Sequence, residues 1–102
     1  MFSLKNKKAI ITGAGSGIGK AIAVLFAKQG AEVHILEINA AAASEVIIEI
    51  NVVGGKAFAH SCNVADQQQV IEIFNSIGNM HILINNAGIA HVGKADTTSE
   101  AD

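Results

Sequence analysis

Short β-branched runs alternate along the chain with stretches whose apolar positions recur every three or four residues, and glycine or a polar cap stands at most changes of period. Lys8–Thr12 (KAIIT) is an apolar run stopped by a glycine cluster, the pattern of a strand buried on both faces. From Ile18, the positions Ile18, Ile22, Leu25 and Phe26 follow helical spacing up to Gly30, which suits a C′ residue. Glu32–Glu37 (EVHILE) predicts a second strand. Asn39 caps a second helix, with Val46, Ile47, Ile50 and Val53 as its apolar stripe and Gly54-Gly55 as its stop. Lys56–Cys62 predicts a weaker third strand, with Ala57, Ala59 and Ser61 alternating against Phe58 and His60. Asp66 and Gln69 form a D-x-x-Q capping box ahead of Val70, Ile73, Phe74 and Ile77, and Gly78 closes that helix. His81–Asn85 (HILIN) predicts a fourth strand, apolar enough for the middle of a sheet.

Strands alternating with helices over short connections imply parallel strands joined by right-handed crossovers. The expected fold is a doubly wound α/β unit with spatial strand order 3-2-1-4. No Pro/Gly/Ser-rich linker, long charge run or solenoid-length repeat divides it. Near the end, Thr97-Thr98-Ser99-Glu100 reads as the start of a helix, with only Ala101 and Asp102 behind it. The expectation is that the natural chain continues and that 1–102 is the N-terminal part of a single domain. An isolated unit would leave His81–Asn85 as an open apolar edge that recruits another chain or aggregates. Separately, a homo-oligomer is expected.

Between the first strand and the first helix stands Thr12-Gly13-Ala14-Gly15-Ser16-Gly17-Ile18-Gly19. Glycines there allow positive φ and let phosphates approach the backbone, while the N–H groups and dipole of the helix N-terminus hold negative charge. A doubly wound protein needs some glycine turn at this point, but alternating glycines exceed what a turn requires. A P-loop is excluded, because Gly19-Lys20 precedes Ala21 and Ala14 stands where its first glycine belongs. The G-x-G-x-x-G fingerprint also fails, since Ile18 occupies its third glycine position. What remains is T-G-x-x-x-G-x-G.

Composition narrows the partners. Seven Lys+Arg against nine Asp+Glu give a formal charge of −2 over 102 residues, with a pI near 6.0. That offers no basic field for nucleic acid or a membrane surface, and neither is expected as a partner. Half of the residues are hydrophobic and the mean hydropathy is +0.39, enough for a packed core. No signal-peptide pattern and no apolar run of membrane-spanning length are present, and the single Cys62 permits no intrachain disulfide. A cytoplasmic location is the expectation.

The glycine string together with Asn85-Asn86-Ala87-Gly88 resembles the short-chain dehydrogenase/reductase family, with both motifs at the ends of the appropriate strands and the likeness running from Leu4 to the Thr-Thr-Ser-Glu stretch. The resemblance implies a Rossmann-type fold and a nicotinamide dinucleotide cofactor. By position, Gly13, Ser16, Gly17, Ile18 and Gly19 match the loop around the pyrophosphate. Glu37, with Ile38 beside it, matches the acidic position that accepts hydrogen bonds from the adenosine ribose. Asn63-Val64 matches the pair at the adenine edge, where the family usually carries Asp-Val. Asn86, Ala87 and Gly88 match the stretch beside the ribose. A carboxylate at Glu37 repels a 2′-phosphate, and neither Ile38 nor Ala14 nor Ser16 offsets it, so NAD is expected over NADP.

The same resemblance implies a catalytic Ser, Tyr and Lys with Tyr-x-x-x-Lys spacing, and an Asn on the helix after the fourth strand. This chain has no tyrosine, and Lys94 has Ala90 four residues before it, so no catalytic residue is assigned and the 102 residues alone are expected to be inactive. The intact protein would transfer hydride between the nicotinamide and a secondary alcohol or ketone, and nothing here separates a 3-oxoacyl-carrier-protein reductase from a sugar, steroid or polyol dehydrogenase. The alternative is a non-catalytic nucleotide-binding or assembly half-domain. His34, His60 and His81 read as packing or surface residues and no metal site is expected. His91 follows the Asn-Ala-Gly stretch, where a solvent-exposed loop position is the stronger reading, and Cys62 reads as a buried thiol.

Overall fold

The computed structural model describes residues 3–15 and 17–86. The described elements are β1 (Lys8–Thr12), α1 (Gly17–Lys28), β2 (Glu32–Glu37), α2 (Ala40–Val52), β3 (Lys56–Ser61), α3 (Gln67–Ile77) and β4 (Ile82–Asn85). The strands form one parallel sheet in the order β3-β2-β1-β4, as the alternation of strand and helix signals requires. None of the described helices is long and apolar enough to cross a membrane.

Strand alternation sorts the core onto the two faces of the sheet. Ile11, Val33 and Ile35 point to one face and pack beneath α1 and α2, against Ala23, Ala27, Val46 and Ile50. Ile10 and Leu36 point to the other, beneath α3, with Cys62 and Ile77. β1 and β2 are therefore covered on both sides, and Ile10, Ile11, Val33, Ile35 and Leu36 are essentially inaccessible. Each such side chain contributes about 1.5–3 kcal/mol of burial.

The first helix corrects the periodicity reading. Ile18 and Leu25 are exposed, at 71% and 50%, and the buried stripe is Gly19, Ala23 and Ala27. Small residues on that stripe bring α1 close to the sheet and to α2, where a Cβ on Gly55 would lie 2.8 Å from both the Ala27 Cβ and the Ile50 Cγ2. Ile22 and Phe26 are half-buried and pack against the same core, so two of the four spaced positions flank the small-residue stripe while Ile18 and Leu25 face outward. Val53, assigned to the α2 stripe, is likewise exposed at 42%, because it stands at the C-cap beyond the last packed turn.

The caps follow the sequence with one change of partner. Asn39 Oδ1 accepts from Ala42 N–H, and Asp66 Oδ1 accepts from Gln68 and Gln69 N–H. Gln69 Oε1 reaches past the capping residue and accepts from Asn63 N–H at 3.1 Å, which ties the start of the β3–α3 loop to the helix. β3 ends at Ser61 and β4 starts at Ile82, each one residue short of expectation. His81 is nonetheless bound to β1, donating its N–H to Lys8 O and accepting Lys8 N–H at Nδ1.

On the face beside α3, β2 and β3 carry a short polar chain. Glu32 Oε2 lies 2.7 Å from His34 Nε2, and His34 Nδ1 lies 3.0 Å from His60 Nε2, with Phe58 stacked on the His34 ring. With Glu32 ionised, His34 donates from Nε2 and its Nδ1 accepts from His60, which fixes both tautomers. The bond from His34 holds the Glu32 carboxyl below its ordinary range, helped by the charges of His34, Lys8 and Lys56 and opposed by burial. Burial, then the charge of His34, pushes His60 down. A depressed histidine takes its proton in the unfolded chain first, so stability falls as pH drops below the ordinary histidine value of about 6.5, until the folded pKa is reached. Glu32 adds a second loss in the ordinary carboxylate range. His60→Gln should flatten the fall in urea midpoint between pH 7 and pH 5, and an unchanged slope would assign it to other groups.

Candidate functional site

The strand order reverses at β1, whose neighbours β2 and β4 leave it in opposite directions, and ligands of open α/β sheets bind in the crevice beyond the strand C-termini at such a point. The Thr12 hydroxyl donates to Asn85 Oδ1 at 3.0 Å across that crevice. Beyond Thr12 the chain turns sharply. Gly13 has φ +65° and Gly17 has φ +61°, values that an L side chain rarely adopts. Gly13 N–H donates to Leu36 O at 3.0 Å, which fastens the start of the loop to β2.

Two further contacts hold the loop in shape. Asn86 Nδ2 donates to Gly13 O at 3.0 Å, directly above Gly19, where an added Cβ would come within 2.5 Å of Gly13 O and 2.6 Å of Asn86 Nδ2. On the β2 side, Gly15 N–H donates to Glu37 Oε1 at 2.9 Å and Asn39 N–H donates to Glu37 Oε2 at 3.0 Å. Glu37 therefore faces the loop with both oxygens already engaged.

The residues matched to the cofactor loop converge. Gly13, Gly17, Ile18 and Gly19 form the turn and the first turn of α1, whose leading N–H groups have no partner within the helix. Among the described residues, nothing lies within 4 Å of where a Cβ on Gly17 would stand. Glu37 and Ile38 end β2, while Asn63 and Val64 follow β3, and these four with Gly13 line one cleft of about 120 Å³. Its remaining walls are Leu36 and Cys62. Asn63 Oδ1 accepts from Ala65 N–H at 3.0 Å, so the oxygen expected at the adenine edge already serves a turn and keeps one further lone pair. Burial and the nearby Asp66 charge push the Cys62 thiol up, which keeps it protonated and inert. Ser16, Ala87, Gly88, His91, Lys94 and the Thr97–Glu100 cap lie outside the described residues.

Sequence reasoning passed over Gly15 and Asn39. Both contribute main-chain N–H groups to Glu37, and a backbone donor leaves no mark of its own in a sequence. The available signal was the extra glycine inside the T-G-x-x-x-G-x-G string.

The arrangement fits a dinucleotide. A helix N-terminus and open glycine backbone suit a pyrophosphate, the carboxylate beside them suits a diol, and the narrow, mostly apolar cleft suits a planar base.

Comparison with known proteins agrees. The sequence profile of the family described as short chain dehydrogenase matches residues 7–102. The chain is 47% identical over 89 residues to 7α-hydroxysteroid dehydrogenase of Escherichia coli strain K12, covering 83% of this chain and 35% of that protein. It is 46% identical over 99 residues to cyclohexanol dehydrogenase of Acinetobacter sp. strain SE19, covering 93% and 39%. Among solved structures, a 7α-hydroxysteroid dehydrogenase complexed with NADH and 7-oxo glycochenodeoxycholic acid superposes with a TM-score of 0.75 at 44% identity, covering 80% of this chain and 34% of that one. The chain thus spans little more than a third of the length of these relatives.

Proposed function

The chain belongs to the short-chain dehydrogenase/reductase family, and from that premise we propose that it builds the adenosine side of a nicotinamide dinucleotide site in an oxidoreductase interconverting a secondary alcohol and a ketone, with NAD(H) preferred over NADP(H). When bound, the dinucleotide supplies the hydride acceptor or donor. The described residues carry binding and orientation. Backbone N–H groups at the start of α1 take the pyrophosphate, and Asn86 holds the loop by its bond to Gly13 O. The cleft beside Ile38, Asn63 and Val64 takes the adenine, and Glu37 accepts from the ribose hydroxyls.

The observation that carries the cofactor preference is the position of Glu37. Its carboxylate stands 2.9 Å from the loop amide of Gly15, and none of the described residues that line the adjoining cleft is basic. A dianionic 2′-phosphate placed there meets like charge at close range in a partly desolvated site. Calorimetric titration should show tighter binding of NADH than of NADPH, and Glu37→Ala should narrow the gap by about tenfold or more, the loss of one charge-assisted contact on one side and of one repulsion on the other. Tighter binding of NADPH to the unaltered chain would overturn the preference.

The named substrates of two relatives, a 7α-hydroxysteroid and cyclohexanol, both carry a secondary alcohol on a saturated ring, which supports alicyclic alcohols as the first substrate class to test on the intact protein.

A further inference from the structure

Gly15 is not in a left-handed conformation, so a positive φ does not explain the glycine. What a side chain would meet does. A Cβ on Gly15 would come within 2.7 Å of Glu37 Oε1, 2.9 Å of Glu37 Cδ and 2.8 Å of the Ala42 Cβ. The carboxylate occupies the volume that a side chain at 15 would fill, and the Gly15 N–H holds it there. Asn39 N–H holds the other oxygen, and Asn39 is itself fixed as the cap of α2.

Resting on the dinucleotide reading above, we propose that Gly15 is a specificity-determining residue, which acts by providing the seat of the Glu37 carboxylate. Each carboxylate oxygen accepts one backbone bond and keeps a further lone pair, so two acceptor directions remain for a vicinal diol. A bulky 2′-phosphate can enter only if Glu37 swings out, and that breaks both bonds to charged oxygen. The glycine thus turns a mobile acid into a fixed one before any ligand arrives. A side chain at 15 displaces the carboxylate, because the flexible end of Glu37 yields more easily than the first turn of α2.

The test is a double-mutant cycle read by calorimetry as the ratio of the Kd for NADPH to the Kd for NADH. Gly15→Ala should lower that ratio by about tenfold in the native background. In the Glu37→Ala background the same substitution should change it by less than about twofold, since both act through one carboxylate. Should the Ala42 methyl prevent Gly15→Ala from folding, Gly15→Ala/Ala42→Gly relieves that contact, with Ala42→Gly as its reference. Preference for NADH left intact by Gly15→Ala, or lowered equally in both backgrounds, would overturn the role of Gly15 while the dinucleotide reading stands. Failure of the unaltered chain to bind either dinucleotide would overturn both.

Discussion

Gly19→Ala is expected to lower the urea midpoint and to weaken dinucleotide binding by more than tenfold, the reverse of what the substitution does in an ordinary helix. In an exposed helix interior, alanine is favoured over glycine by about 1 kcal/mol. Here the added Cβ would stand 2.5 Å from Gly13 O and 2.6 Å from Asn86 Nδ2, with Ala14 Cα at 3.1 Å. Two of these atoms are backbone of the loop itself, and the third belongs to the side chain that fixes it. Relief requires moving the loop and spreading the Asn86–Gly13 bond, so overpacking of about 1–3 kcal/mol adds to the loss of a part-buried hydrogen bond worth about 1 kcal/mol. Set against the roughly 1 kcal/mol by which a helix favours alanine, the net destabilisation should be about 1–3 kcal/mol by these terms. Gly17→Ala is the control. It carries the strain of φ +61°, roughly 1–2 kcal/mol, but meets nothing among the described residues within 4 Å, so it should leave the Asn86 contact in place. The chain has neither Trp nor Tyr, so unfolding is followed by far-UV circular dichroism. A Gly19→Ala chain as stable as the native one would show that the loop is not packed as described.

The second large effect lies in the core. Ile35 sits on β2, between β1 and β3, fully inaccessible, and packs with Ile11, Val33, Val46 and Ile50 beneath α1 and α2. Ile35→Ala removes three carbons from a site enclosed by strands on both sides and helices above, where collapse is least able to fill the space. The expected cost is about 2–5 kcal/mol. A chain of this length has about 5–15 kcal/mol of stability in all, so the variant should lose a large share of it. Leu25→Ala on the exposed face of α1 should stay within about 0.5 kcal/mol of the native chain. Equal effects at the two positions in a denaturant titration would contradict the assignment of the buried stripe on α1.

How far the sequence carried can be read element by element. Thr12-Gly13, Gly30, Asn39, Asp66 and Gly78 mark boundaries that the structure keeps to within a residue, because caps and positive-φ turns are local chemistry. The packed face of α1 was legible only in part. Periodicity weighs apolar volume and so selected Ile22 and Phe26, which pack, together with Ile18 and Leu25, which do not, whereas the centre of a helix face lying close to a sheet is chosen by small size, and only the neighbour across the interface sets that demand. The Glu32–His34–His60 chain was also invisible. It depends on the β2–β3 register that sets Leu36 opposite His60 and His34 opposite Phe58, and no local signal states a register.

The candidate site divides in the same way. The positions of Gly13, Gly19, Glu37 and Asn86 follow from the glycine string, a strand-end acid and the Asn-Asn-Ala-Gly run, each a short pattern whose chemistry is contained in its own letters. The sequence by itself determined the strand–helix alternation, its parallel order and the residue types brought to the sheet's C-terminal edge. Only the tertiary structure decided that Glu37 is bound by two backbone amides, that Asn86 clamps the loop over Gly19, and that the Asn63 oxygen already serves a turn. Each of those contacts joins groups fixed by different elements or turned by local backbone geometry, and hydrogen bonds to main-chain atoms depend on where the backbone runs rather than on which side chain it carries.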